Sequence, residues 1–208
     1  MREVPDTPTL DSRKRVLLFL ALSAVQLIYV PINRLVTGGV ILQIPWDAHV
    51  PFWPIFSIPY MASVFWWTVC ILWAAMRMDA LRLRAFFFGA LFMMLTSYII
   101  FIVYPTYIER PDVTGQGFQY DLIRSIYSND RLNNAFPSGH TYFTVFIVLF
   151  WWKWKPRLKW IWAAFGALVI ASTLFTGQHN LLDPVGGIVW AVGSYRFGWL
   201  LAKRRWSG

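Results

Sequence analysis

The sequence is poor in charge: Asp, Glu, Lys and Arg together make up 14% of its 208 residues, where soluble domains carry about a quarter. That shortage excludes a soluble globular domain and a disordered chain, both of which depend on solvated charge. Cysteine is almost missing. Cys70 stands alone inside an apolar run, so an intrachain disulfide, a two-cysteine metal site and a redox pair are ruled out, and with them a secreted disulfide scaffold. Internal repeats and low-complexity tracts are absent. No Asn-x-Ser/Thr sequon occurs, which fits a bacterial plasma membrane. What the chain does have is 57% apolar and 19% aromatic residues, with 13 Trp spread along its whole length, as expected of segments that repeatedly cross a membrane interface.

A helix needs about 17 to 25 apolar residues to cross the hydrocarbon core. Such runs fall at 16–32, 54–76, 85–104, 138–154, 160–176 and 184–202. They predict an all-α, polytopic membrane protein of six transmembrane helices, forming a single domain over 1–208. The apolar stretch between Arg15 and the small-residue site near Ala24 is too short for a signal peptide, so the first run is read as a helix. Cations fix the orientation. Arg2, Arg13, Lys14, Arg15, Arg77, Arg82, Arg84, Lys153, Lys155, Arg157, Lys159, Lys203, Arg204 and Arg205 fall on one side, against Arg34, Arg110, Arg124 and Arg131 on the other. That bias predicts cytoplasmic termini. The net charge of +9 is then a topology signal, and no nucleic-acid partner is expected.

The outer side comprises 33–53, a long loop 105–137 and the turn 177–183. The loop mixes charged and aromatic residues and reads as a folded lid with one short amphipathic helix around Tyr120 to Tyr127. All three histidines, His49, His140 and His179, fall on this side, and ionisable groups at membrane depth are functional candidates by default. Ser138 is a good N-cap and Gly139 permits close backbone approach, so Ser138-Gly139-His140 reads as an anion site at a helix start or as a plain capped helix. His179 and Asp183 are four apart, so on a helical turn the carboxylate orients the imidazole. Asp183 followed by Pro184 also reads as a helix cap, and the two roles coexist. Arg110 offers a guanidinium fork to phosphate oxygens, or pairs with Glu109 as a loop arginine. Asp47, His49 and Arg131 are candidates for the substrate entrance.

Arg110-Pro111, then Pro137-Ser138-Gly139-His140, then His179 and Asp183, in this order and span placement, resemble the three motifs of the type 2 phosphatidic acid phosphatase superfamily. The pattern there is Lys-x6-Arg-Pro, Pro-Ser-Gly-His and Ser-Arg-x5-His-x3-Asp. Two of its cations are missing here, since Val103 and Thr173 occupy their positions. That loss, together with Ser138-Gly139-His140-Thr141, the 44–60 stretch and Asn134-Ala135-Phe136-Pro137, looks similar to the branch containing sphingomyelin synthase and inositol phosphorylceramide synthase. The resemblance implies a membrane lipid phosphatase or phosphotransferase acting on a lipid phosphate or phospholipid. In it His179 forms a phosphohistidine, Asp183 orients it, and His140 passes protons to and from the alcohol. Arg110, Ser138 and Gly139 hold the phosphoryl oxygens. No metal or other cofactor is implied. Two other readings compete. One is a lipid- or polyprenyl-phosphate carrier, which calls for a second gate or internal pseudo-symmetry that the sequence does not show. The other is a zinc site built from His140, His179 and Asp183 with Asp47 or His49.

Overall fold

The computed structural model describes residues 10–204; Arg2 and Arg205, counted above among the inner cations, lie outside them. Among the described residues the chain is helical with no strand. The helices are α1 (Ser12–Leu27), α2 (Tyr29–Leu35), α3 (Ser57–Arg77), α4 (Ala80–Val103), α5 (Phe118–Asn129), α6 (Gly139–Trp154), α7 (Lys159–Phe175) and α8 (Leu182–Arg204). Short 3-10 turns occupy Pro45–His49, Pro54–Phe56 and Pro156–Leu158. Four stretches are long and apolar enough to cross a membrane, Ser12–Leu35, Pro54–Arg77, Ala80–Val103 and Pro156–Phe175. They correspond to four of the six runs. At the other two runs, α6 is only 16 residues long, and α8 dilutes its apolar residues with glycines, Asp183, Ser194 and Arg196. These are the two helices whose starts carry Ser138, His140 and Asp183.

α8 packs along α4 and α6, and α6 packs along α7. Within a bilayer helices gain nothing from excluding water, so close packing over small residues holds them together. Gly89 and Gly198 supply that contact. A Cβ at Gly89 would lie 2.8 Å from the Ser194 carbonyl oxygen, and one at Gly198 would collide with the Ala85 carbonyl. The core beside this seam is aromatic, with Phe86, Phe146, Phe150 and Trp151 almost wholly buried.

Contacts near the helix ends show which ends meet. Arg15 donates from Nη1 to the carbonyls of Ala75 and Met78, both at 2.9 Å, filling acceptors that the end of α3 leaves open. The Lys155 ammonium lies 5.4 Å from the Trp73 ring and 4.6 Å from the Trp154 ring. The start of α1 and the ends of α3 and α6 therefore share one end of the bundle, and Gly198 against Ala85 brings the start of α4 and the end of α8 to each other. At the opposite end the starts of α6 and α8 touch, where Ser138 N donates to the Asp183 carbonyl at 3.0 Å.

The 105–137 loop is a folded lid. Tyr107 N donates to Val40 O and Ile108 N to Leu132 O, each at 3.1 Å. The short helix expected near Tyr120 to Tyr127 is α5, slightly longer than anticipated, and its Ile123 and Ile126 are buried against Tyr60 of α3.

The α4–α8 seam makes a paired prediction. Gly198→Ala forces a methyl into backbone and should lower the Tm of the detergent-purified protein, by the equivalent of about 1–3 kcal/mol. Gly193→Ala, one face round the same helix where an added Cβ meets nothing within 4 Å, should be neutral or raise it, because alanine is the better helix former by about 1 kcal/mol. Equal Tm values for the two variants would contradict the seam.

Candidate active site

The turn before α8 is shaped by Gly177, whose φ of +65° is left-handed and where a Cβ would stand 2.5 Å from Pro111 Cδ and 2.9 Å from the Tyr127 hydroxyl. Only glycine lets the chain pass under those two residues. The turn then delivers His179. Its Nδ1 lies 3.2 Å from Asp183 Oδ2, and the same oxygen accepts from Asn180 N at 2.9 Å. The Asp183 carboxylate therefore points back into the turn and serves the imidazole and the Asn180 amide; it does not cap α8 from outside with Pro184 at the first position as expected, because α8 already begins at Leu182. The pair is well screened from solvent, with side-chain exposures of 8% and 1%. Holding Nδ1 against a carboxylate leaves Nε2 as the nitrogen available for chemistry.

At the start of α6, Ser138 is fully buried and its Oγ accepts from Thr141 N at 3.3 Å, the side-chain cap foreseen for it. The cap places His140 one residue into the helix. Its ring is stacked on Tyr60 with centroids 3.9 Å apart and leans on Trp67 at 4.9 Å. His140 Nε2 is buried and has no hydrogen-bond partner among the described residues. His140 and His179 line a common cavity of about 90 Å³, whose walls also include Gly139, Asp130, Asn134 and Gln178. Two larger cavities adjoin it. An outer one of about 310 Å³ is lined by Asp47, Arg110 and His179. An apolar one of about 450 Å³ runs between α1, α3, α4 and α6 and reaches His140.

Arg110 sits beside this site with its fork already occupied. Nη1 donates to the carbonyls of Tyr127 at 3.2 Å and Asp130 at 2.9 Å, while Nη2 donates to Arg131 O at 3.1 Å and Gln178 Oε1 at 2.8 Å. The guanidinium also lies 4.5 Å from the Tyr127 ring centroid. Burial lowers its pKa, opposed chiefly by the nearby Asp130 carboxylate. Burial likewise pushes the Tyr127 phenol up to about 12 against the pull of Arg110. The Asp130 carboxyl is raised by burial, opposed by the Tyr29 hydroxyl, which donates to it at 2.9 Å, and by Arg110.

The entrance candidates separate. Asp47 accepts from Ile44 N through Oδ2 and from Leu181 N through Oδ1, both at 2.7 Å, tying the 44–49 turn to the His179 turn. Arg131 lines the histidine cavity, with Nη1 donating to Arg34 O at 3.1 Å. His49 lies against Trp46, ring centroids 6.0 Å apart, and lines none of the three cavities. Among the described residues no three His, Cys, Asp or Glu side chains gather as a metal-ligand cluster. Sequence reasoning passed over Gln178, Asn134, Asp130 and Tyr60. Their signal was position alone: Gln178 precedes His179, Asn134 opens the stretch leading into Ser138, and the other two meet the site only through tertiary packing.

A histidine braced by a carboxylate shares a cavity with a second histidine at the starts of two helices in an apolar bundle, a constellation suited to phosphoryl transfer. The model of one family, the PAP2 superfamily, matches residues 39–197, well over half of the chain and all the site residues above, and the chain belongs to that superfamily. Neither a curated protein nor a solved structure matches it.

The Arg110 geometry predicts a structural demand that a point charge cannot meet. Arg110→Lys keeps the charge but loses the planar fork and most of the four carbonyl contacts, so limited proteolysis should cut 105–137 several-fold faster than in the wild type. An unchanged cleavage rate would show that the fork does not hold the lid.

Proposed function

We propose that the protein is a membrane lipid phosphatase or phosphotransferase that works without a metal, through a phosphohistidine at His179, with its site open to the extracytoplasmic face of a bacterial plasma membrane. The observation that carries this reading is the common cavity of His179 and His140, with Asp183 fixing the first. The Nε2 lone pair of His179 attacks phosphorus as the bond from phosphorus to the leaving oxygen breaks, and His140 gives that oxygen a proton. Water or a lipid alcohol then gives a proton to His140, its oxygen attacks phosphorus, and the N–P bond breaks. The Gly139 amide at the start of α6 meets the developing charge, the Ser138 amide being engaged by the Asp183 carbonyl. The adjoining cavities support a lipid substrate: the apolar one reaches His140 and suits a chain entering from the bilayer, while the outer one reaches His179 and is open to water or an acceptor. The cation bias supports the outward orientation.

The charge supply supports a phosphodiester donor, as in the sphingomyelin synthase and inositol phosphorylceramide synthase branch. A phosphomonoester carries about 1.5 to 2 negative charges near neutral pH, a diester one. Val103 is 76% exposed at the end of α4, and the Thr173 hydroxyl donates to Ile170 O, so neither position offers a cation. Arg110 is occupied by carbonyls, Arg124 binds Asp121 and the Gly115 carbonyl away from the cavity, and Arg131, the one cation among the described residues that lines the histidine cavity, donates through Nη1 to the Arg34 carbonyl. The Asp130 carboxyl stands in the cavity wall.

His179→Ala and His140→Ala should each lower turnover by several orders of magnitude while the protein remains folded. Activity above about a tenth of wild type in either would overturn the two-histidine mechanism. Asp183→Ala should be milder, since the nucleophile stays. In a purified-enzyme panel, kcat/KM for at least one phospholipid diester should exceed that for phosphatidic acid and for polyprenyl phosphates. A tenfold preference for any monoester over every diester would overturn the diester reading.

A further inference from the structure

The histidine cavity holds two carboxamides for which the mechanism above has no use. Gln178 is 4% exposed. Its Oε1 accepts from Arg110, and its Nε2 is buried with no partner among the described residues. Which end of the amide faces which way is settled by chemistry: a guanidinium carries only donors, so the oxygen faces Arg110 and the NH₂ group is the end left without a partner among the described residues. Asn134 is equally buried, and its backbone φ of +67° is one that asparagine tolerates better than most residues. Thr106 fixes that conformation, accepting from Asn134 N through its carbonyl at 2.9 Å and from Phe136 N through its hydroxyl at 2.8 Å. Neither Nδ2 nor Oδ1 of Asn134 has a partner among the described residues. Buried polar atoms without partners are uncommon and costly, and here they lie in the wall of the cavity that both histidines face.

We propose that the NH₂ groups of Gln178 and Asn134 bind the non-bridging oxygens of the substrate phosphodiester and set the preference for a monoanion. The proposal rests on the phosphoryl-transfer reading. Thr173, at one of the two positions that lack a cation, accepts from Gln178 N through its carbonyl at 3.1 Å and so helps to hold the carboxamide in place. Fixed neutral donors stabilise charge that develops on the oxygens in the transition state. They do so without the net positive charge that a dianion requires on leaving water. Arg110 becomes a positioning residue that acts through Gln178 and the lid carbonyls.

The test uses the full-length purified protein in vesicles, with a fluorescent phospholipid diester and phosphatidic acid as substrates. Gln178→Met removes the donor at nearly constant length. Gln178→Glu keeps an acceptor for Arg110, and Asn134→Asp breaks no hydrogen bond within the protein, so both should fold. For Gln178→Met, kcat on the diester should fall about 10²- to 10³-fold, as for loss of one oxyanion donor, with KM little changed. The two carboxylate variants should lose at least as much and also raise KM through repulsion. Should either Gln178 variant fail to elute as a monodisperse peak, Asn134→Asp decides alone. Folded variants with more than a third of wild-type kcat/KM on the diester would overturn the carboxamide proposal while the parent reading stands. Wild-type protein inactive on diesters and monoesters alike would overturn both.

Discussion

Asp183 is the residue on which both halves of the site hang. Its carboxylate gathers the Asn180 amide and His179, and its carbonyl accepts from Ser138, the cap of α6. One buried side chain thus sets the His179 ring, and the same residue's backbone sets where the His140 helix begins. At 1% exposure the carboxylate has both of its partners, the Asn180 amide and the His179 ring, on Oδ2, and Oδ1 is buried without a partner among the described residues. The spacing it imposes works because α8 is slim where α6 crosses it: a Cβ at Gly187 would come within 2.9 Å of the Ser138 carbonyl. Small residues along α8 therefore do at the site what they do against α4, letting backbones approach until polar groups can reach one another.

The second constraint is the lid. An arginine with a lowered pKa and a buried stem is tolerated because four oxygens and an aromatic face surround it. Those oxygens come from the end of α5, from the residues that follow it and from the turn before His179. Arg110 therefore stitches two outer segments that sequence separation would otherwise leave independent, and α5 adds an apolar foot on Tyr60. Because Tyr60 also stacks on His140, the 105–137 loop and His140 share one support.

Much of this was legible in the chain because the features concerned are local. An N-cap serine, a glycine beside it and a histidine four residues before an aspartate specify their own geometry over one helical turn, and the structure gives Ser138 its cap and His179 its carboxylate. Apolar run length was equally readable for α1, α3, α4 and α7. It was less so for α6 and α8, whose sequences answer to the site as well as to the bilayer. The fate of Arg110 was not legible. Its expected target was a ligand, but its acceptors are the Gln178 carboxamide and three backbone carbonyls, which every residue owns and no pattern marks. No site role was legible for Gln178, or for Asn134, which entered only as part of the Asn134-Ala135-Phe136-Pro137 resemblance, for a related reason: a carboxamide has no distinctive spacing, and only burial without partners makes it conspicuous. His49 and Asp47 sit two residues apart, yet one lies on Trp46 and the other bonds the Leu181 amide, a division that depends on which way the 3-10 turn faces.

The three cavities form a sequence from polar to apolar: an outer pocket at Asp47 and Arg110, the small chamber of the histidines, and the apolar cavity between α1, α3, α4 and α6. His179 belongs to the first pair and His140 to the second. An enzyme that joins a lipid to water or to an alcohol must place its reacting phosphorus at such a boundary, where each substrate keeps most of its own solvent. A strongly cationic chamber would suit a dianion but would itself be expensive to bury beside an apolar groove. Amides, helix-start N–H groups and two arginines that already donate to carbonyls, Arg110 and Arg131, avoid that expense. On this view the absence of cations at positions 103 and 173 and the depth at which the chamber lies are two sides of one adaptation.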